Sequence, residues 1–95
     1  MAPRAQAVVL GGGLSGVSTA WSLARSGAFE VTVLERGPVL GGLAGSFERE
    51  GHFYPLGYHH ILHRDRTLLF FLKEIGVLGQ VEWRRIRMYF RLRER

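Results

Sequence analysis

Ala5-Gln6-Ala7-Val8-Val9-Leu10-Gly11-Gly12-Gly13-Leu14-Ser15-Gly16 is the stretch that decides the fold. A short apolar run centred on Val8 and Val9 stops abruptly at glycines, which suits a buried strand of a parallel sheet. Leu14 to Ser26 then places Val17, Ala20, Trp21, Leu23 and Ala24 in a helix-like distribution, with Gly27 where a left-handed C-terminal stop is expected. Phe29 to Leu34, carrying Val31 and Val33, reads as the next strand, and Glu35 stands at its C-terminal end. Strand, helix and strand within about thirty residues make a βαβ unit with a right-handed crossover. The expected fold class is therefore α/β, of Rossmann type with a parallel sheet.

Composition sets the frame around that unit. The chain has 95 residues, 46% hydrophobic and 22% charged, so it reads as globular rather than as a disordered tail. That length allows one small domain and a modest core. Cysteine is absent, which excludes a disulfide framework, thiolate chemistry and a zinc–thiolate site. The opening Met1-Ala2-Pro3-Arg4 lacks the apolar run of a secretory signal, and no apolar stretch is long enough to span a bilayer. A cytoplasmic location is the expectation. Basic and acidic side chains balance over residues 1–83; the excess lies in Arg84, Arg85, Arg87, Arg91, Arg93 and Arg95, against Glu94. An arginine-rich end is compatible with nucleic acid or acidic lipid. An exposed strand face that happens to be basic is favoured instead, because the rest of the chain shows no basic surface. No nucleic-acid partner is expected.

The remaining segments are read more coarsely. Gly37 to Gly51 is a glycine-rich loop, and Gly51 to His63 holds aromatics, a proline and all four histidines without a clean period. Asp65 is expected to cap a helix over Arg66 to Ile75, with Leu68, Leu69, Leu72 and Ile75 as its apolar face and Gly76 as its stop. The last segment alternates: Ile86, Met88, Phe90 and Leu92 against Arg85, Arg87, Tyr89, Arg91 and Arg93. Period two predicts a half-buried strand.

Gly11, Gly13 and Gly16 spell G-x-G-x-x-G between a strand and a helix. Gly11 allows the tight turn, Gly13 lets backbone approach a pyrophosphate, and Gly16 lets helix and strand pack closely, with Ala20 one turn later. The helix start at Leu14 and Ser15 presents unpaired N–H groups and a positive dipole end to phosphates. Glu35, nineteen residues after Gly16, can accept hydrogen bonds from ribose hydroxyls and would repel a 2′-phosphate. These residues predict a dinucleotide site.

The loop after the acid discriminates between dinucleotides. Leu34-Glu35-Arg36-Gly37-Pro38-Val39-Leu40-Gly41-Gly42-Leu43-Ala44-Gly45-Ser46 resembles the E-x-x-x-x-x-G-G segment of flavoproteins, where the paired glycines bring backbone close to an extended FAD. Residues 7–46 together resemble the N-terminus of the flavin-containing amine oxidase superfamily. That group includes amine oxidases, protoporphyrinogen oxidase, carotenoid desaturases and UDP-galactopyranose mutase. The resemblance implies FAD as cofactor, contacted by Gly11, Gly13, Leu14, Ser15, Gly16, Glu35, Arg36, Gly41 and Gly42. Leu43 departs from the arginine that many members carry after the paired glycines. The segment from Tyr54 to Asp65 is similar to the family's Gly-x-His, which implies that Gly57, His59 and His60 approach the flavin ring. Two rival readings compete for these histidines. As ordinary interface residues they need no role; as metal ligands, adjacent histidines on an extended segment point apart and rarely share an ion. No metal is expected.

The resemblance implies a flavin-dependent oxidoreductase that oxidises an organic small-molecule substrate by hydride transfer to flavin. The alternatives are a non-redox sugar-mutase type, suggested by the histidine spacing, and a small nucleotide-binding module with a basic partner-binding strand. Family members are several times longer. Residues 1–80 are expected to be the N-terminal part of an FAD-binding domain, and 81–95 the start of a truncated substrate domain. Taken by itself the chain is expected to hold FAD poorly, to turn nothing over and to aggregate through its last strand. A homo-oligomer is possible.

Overall fold

The computed structural model describes residues 2–93. The elements in chain order are β1 (Ala5–Leu10), α1 (Leu14–Arg25), β2 (Phe29–Leu34), β3 (Ser46–Arg49), β4 (His52–Pro55) and α2 (Arg66–Glu74). They fall into two compact units, one ending at His60 and one beginning at Ile61.

In the first unit β1 and β2 run parallel, in a register that pairs Ala5 with Phe29 and Leu10 with Leu34. Helix α1 packs against both strands, so β1-α1-β2 is the expected βαβ unit. Alternation decides which side chains meet the helix. Ala7, Val9, Phe29, Val31 and Val33 are half-buried, whereas Val8, Leu10 and Leu34 are 60%, 80% and 53% exposed. Side chains alternate across a strand, so one face of this sheet is covered by α1 and the other is open among the described residues. Gly27, at φ 74°, follows the last turn of α1 as expected.

Strands β3 and β4 form an antiparallel hairpin where the sequence suggested only loop. Glu50 at φ 52° and Gly51 at φ 78° make the two-residue connection. Two consecutive left-handed residues give the turn whose twist matches that of paired strands. Phe47 and Tyr54 are directly opposed and their rings stack at 5.5 Å, a cross-strand pair of the kind that holds short hairpins. The missed signal was Glu-Gly between two four-residue segments, obscured by aromatics on both faces.

In the second unit α2 starts after Asp65 and stops before Gly76, at φ 80°. Its half-buried positions are Leu68, Leu69, Phe71 and Leu72, whereas Ile75 is 39% exposed and lies past the helix end. Asp65 is the N-cap residue, but its side chain does not cap the helix. Its Oδ2 instead accepts a 2.8 Å hydrogen bond from the Leu62 N–H, so the carboxylate closes the preceding turn. The strand expected over Ile86 to Leu92 is not formed: residues 81–93 carry no regular structure. A period-two pattern specifies which side chains share a face, but a strand also needs a ladder with a partner strand, and the ladders of the described residues join β1 to β2 and β3 to β4. Arg84 forms an ion pair with Glu82, and Ile86, Met88, Phe90 and Leu92 are 51–89% exposed.

Candidate dinucleotide site

The C-terminal ends of β1 and β2 lie side by side because the strands are parallel and in register through Leu10 and Leu34. Gly11 and Glu35 therefore emerge at the same edge of the sheet. Gly11 turns the chain with φ 97°, a conformation that L side chains avoid, while its N–H donates to the Leu34 carbonyl at 2.8 Å. Gly13 is the N-cap of α1, and its carbonyl accepts from the Val17 N–H at 2.9 Å. No side chain caps this end and the first turn contains no acid. The first-turn N–H groups at Leu14, Ser15 and Gly16 lack intrahelical acceptors, and the helix dipole favours an anion there. The Ser15 carbonyl is engaged on the other side, accepting from Ser18 Oγ and Thr19 Oγ1.

The glycines differ in what surrounds them. A Cβ added to Gly16 would lie 1.8 Å from the Gly11 carbonyl oxygen, so close packing of α1 on the turn requires its absence. A Cβ added to Gly13 would meet nothing nearer than the Gly42 Cα at 3.9 Å, and one on Gly11 would find nothing within 4 Å. The space beside Gly11 and Gly13 is thus free of side chains, as a diphosphate requires. Close by, Leu10, Gly11, Leu34, Glu35 and Arg36 line a cavity of about 490 Å³.

The second glycine loop comes to the first. Gly13 and Gly41 form an isolated parallel bridge, and the Gly41 N–H donates to the Gly12 carbonyl at 2.8 Å. Gly41 has φ 122° and Gly42 φ 54°, opening a 3-10 turn over Gly42–Ala44. The built Cβ of Gly42 would sit 3.0 Å from the Gly13 Cα. Two stretches thirty residues apart thereby share one patch of bare backbone, which neither motif predicts by itself.

Glu35 is the charged centre of this patch. Its Oε2 accepts from the Gly12 N–H at 2.6 Å and its Oε1 from the Gly37 N–H at 3.0 Å. Sequence reading assigned the acid to ribose; the structure adds that it ties the first glycine turn to the start of the next loop. A carboxylate offers about four lone-pair sites, so both roles are compatible. The Gly37 N–H, then the Gly12 N–H and the Arg36 charge, hold Glu35 below the usual carboxylate range against an opposing effect of burial. A folded pKa below the unfolded one contributes stability above the unfolded pKa, lost as pH falls through the folded value. Amide exchange at Gly12 and Gly37, corrected for its intrinsic pH dependence, is expected to quicken on acidification below the usual carboxylate range. Glu35→Gln is expected to abolish that pH dependence.

The histidine segment docks on the 3-10 turn. The Leu56 N–H donates to the Gly45 carbonyl at 3.0 Å, and a Cβ on Gly57 would lie 3.0 Å from the Leu43 carbonyl oxygen. His59 Nε2 is 3.1 Å from that same oxygen. Because a carbonyl only accepts, Nε2 is the donor in this contact. His60 packs edge-on against Tyr58 at 4.1 Å. His63 lies in the second unit, stacked on Trp83 at 3.9 Å. Among the described residues no three His, Asp or Glu side chains gather as a metal-binding group, and no helix is long and apolar enough to cross a membrane.

Comparison with known proteins agrees with this geometry. The family model of the NAD(P)-binding Rossmann-like domain matches residues 9–75. The chain belongs to that family. Those residues take in the helix start, Glu35, both glycine loops and α2. Carotenoid phi-ring synthase of Chlorobaculum tepidum is 52% identical over 58 residues, 57% of this chain and 9% of that protein. Zeta-carotene desaturase of Zea mays is 35% identical over 75 residues, 78% of this chain and 13% of that protein. The 15-cis-phytoene desaturase of an Oncidium hybrid cultivar is 33% identical over 86 residues, 90% of this chain and 15% of that protein. The chain spans at most 15% of the length of these three relatives. Carotenoid desaturases are among the proteins to which the sequence resemblance pointed. The residue that sequence reading passed over is Gly12, the x of G-x-G, which the structure buries between the acid and the second loop.

Proposed function

We propose that this chain forms the ADP-binding part of an FAD-dependent oxidoreductase of the carotenoid-desaturase type, acting on a long apolar polyene. The observation that carries the reading is the Gly13–Gly41 bridge, which joins the first glycine turn to a second, with Glu35 at the same edge. An NAD site is complete with one glycine turn and the acid. A second bare backbone patch beside the first suits the extended diphosphate and ribityl chain of FAD. In this reading the first turn of α1, from Leu14 to Gly16, holds phosphate, and Glu35 holds the adenosine ribose. Gly41 and Gly42 give the second loop a close approach, and Arg36 sits beside the acid. The same reading puts Gly57, His59 and His60 on the flavin side, with Gly57 and His59 held against Leu43 of the 3-10 turn. Bound FAD supplies the hydride-accepting ring; the protein's part is to bind, orient and exclude water.

The test is purification of the full-length protein and identification of what it carries. Release of stoichiometric FAD on denaturation supports the reading, and retention of NAD in its place would overturn it. A narrower expectation concerns Gly13. Its added Cβ meets only a distant glycine and its φ of −72° suits any residue, so Gly13→Ala should leave the unfolding midpoint unchanged. The same methyl would enter the diphosphate space and weaken FAD about tenfold, the usual cost of overpacking. Isothermal titration beside thermal unfolding separates the two effects.

A further inference from the structure

We infer that Gly12 and Leu40 act as a pair that positions Glu35, an inference that rests on the dinucleotide reading above. Gly12 and Ala20 are the two buried residues among those described. Burial of a helix alanine against a sheet is ordinary packing; burial of a glycine in a surface turn needs a cover. Gly12 is held on both polar groups, its N–H by Glu35 Oε2 at 2.6 Å and its carbonyl by the Gly41 N–H at 2.8 Å. A Cβ built on Gly12 shows what lies over it. Leu40 Cδ2 would be 2.3 Å away, Glu35 Oε2 3.1 Å and Glu35 Cβ 3.3 Å. Position 12 is thus enclosed by the acid and by the side chain that immediately precedes the second glycine pair.

These distances separate Gly12 from Gly16. At Gly16 the obstacle is backbone, the Gly11 carbonyl, which has no alternative position. At Gly12 it is the tip of a flexible leucine, itself 59% exposed and able to rotate outward. Leu40 is therefore a movable cover. It lies over the Gly12 end of the Gly12–Glu35 hydrogen bond, and a desolvated charge-assisted bond is stronger than a wet one. A methyl at position 12 has to displace Leu40, Glu35 or both, and Glu35 is additionally held by the Gly37 N–H at 3.0 Å. With Leu40 removed, the methyl gains the vacated space, and Glu35 has to give by only a few tenths of an ångström at its 3.1 and 3.3 Å contacts. Leu40 and Gly12 are positioning residues, acting on the ligand through Glu35.

The test is a double-mutant cycle in the full-length protein, with Gly12→Ala, Leu40→Ala and the double variant. Two readouts are followed: FAD affinity by titration, and amide exchange at positions 12, 37 and 41 without ligand. Gly12→Ala is expected to weaken FAD about tenfold and to lose protection at all three amides. Leu40→Ala is expected to weaken FAD only about threefold. The double variant is expected to regain most of both, an antagonistic coupling that a general loss of stability does not produce. Gly16→Ala serves as the contrast, since Leu40→Ala leaves its backbone clash in place. Unchanged protection in Gly12→Ala, or no recovery in the double variant, overturns the pair while the wild type still binds FAD. If the wild type takes up neither FAD nor NAD, the dinucleotide reading fails, and the positioning role fails with it whatever the exchange pattern shows.

Discussion

Gly16→Ala is expected to destabilise the unit ending at His60 more than any other single methyl addition in the glycine turn. The added carbon would lie 1.8 Å from the Gly11 carbonyl oxygen and 2.9 Å from its carbon, with Val9 Cγ1 at 3.4 Å. Nothing flexible is available to move. Relief requires α1 to lift from the turn, which pulls Val17 and Ala20 from β1 and β2. Overpacking of this kind costs about 1–3 kcal/mol and occasionally more; backbone as the obstacle puts this case at the upper end. Small domains have only about 5 kcal/mol to lose, so the variant should unfold at markedly lower urea concentration. Binding should fall with it, because the Gly11 turn and the helix N-terminus move together. Equilibrium unfolding of the full-length protein, beside Gly13→Ala, checks this: a midpoint as high as that of Gly13→Ala would contradict the packing argument.

Glu35→Ala is expected to produce the largest loss of adenine dinucleotide binding that leaves the βαβ unit folded. The substitution strips the acceptor from the Gly12 and Gly37 N–H groups and removes the carboxylate proposed to hold the ribose. Loss of the partly exposed side chain opens the Gly12 and Gly37 amides to water, so the strands should persist. The preorganised edge is lost, and affinity is expected to drop roughly 100-fold, as when several hydrogen bonds to one charged group go together. Glu35→Gln keeps one acceptor oxygen and should fall between the two. Comparison of FAD with FMN, which lacks the adenosine, makes the effect specific: FMN binding should be indifferent to Glu35. Equal losses for both ligands would place the acid elsewhere in the mechanism.

Local rules carried a large part of the fold. The apolar run at Ala5–Leu10, the helical spacing after Leu14 and the stops at Gly27 and Gly76 are short-range signals, and the elements formed at those positions. They were legible because each depends on a few neighbouring residues. The β3–β4 hairpin was not, since its strands are four residues long and exposed on both faces, so no buried face imposed a pattern. The Ile86–Leu92 segment failed in the opposite way. Its alternation is clear, yet residues 86–92 form no strand.

By itself, then, the sequence determined the βαβ unit, the tight turn at Gly11, the close packing at Gly16, and the presence of an acid at the end of β2. Those features follow from steric rules acting over a turn or a strand. Only the tertiary structure decided that Gly41 bonds to Gly12, that Glu35 already holds two backbone N–H groups, and that Leu40 covers Gly12. The reason is geometric: parallel pairing of β1 with β2 brings residues some thirty positions apart to one edge, and hydrogen bonds between them have no period that a linear reading can detect.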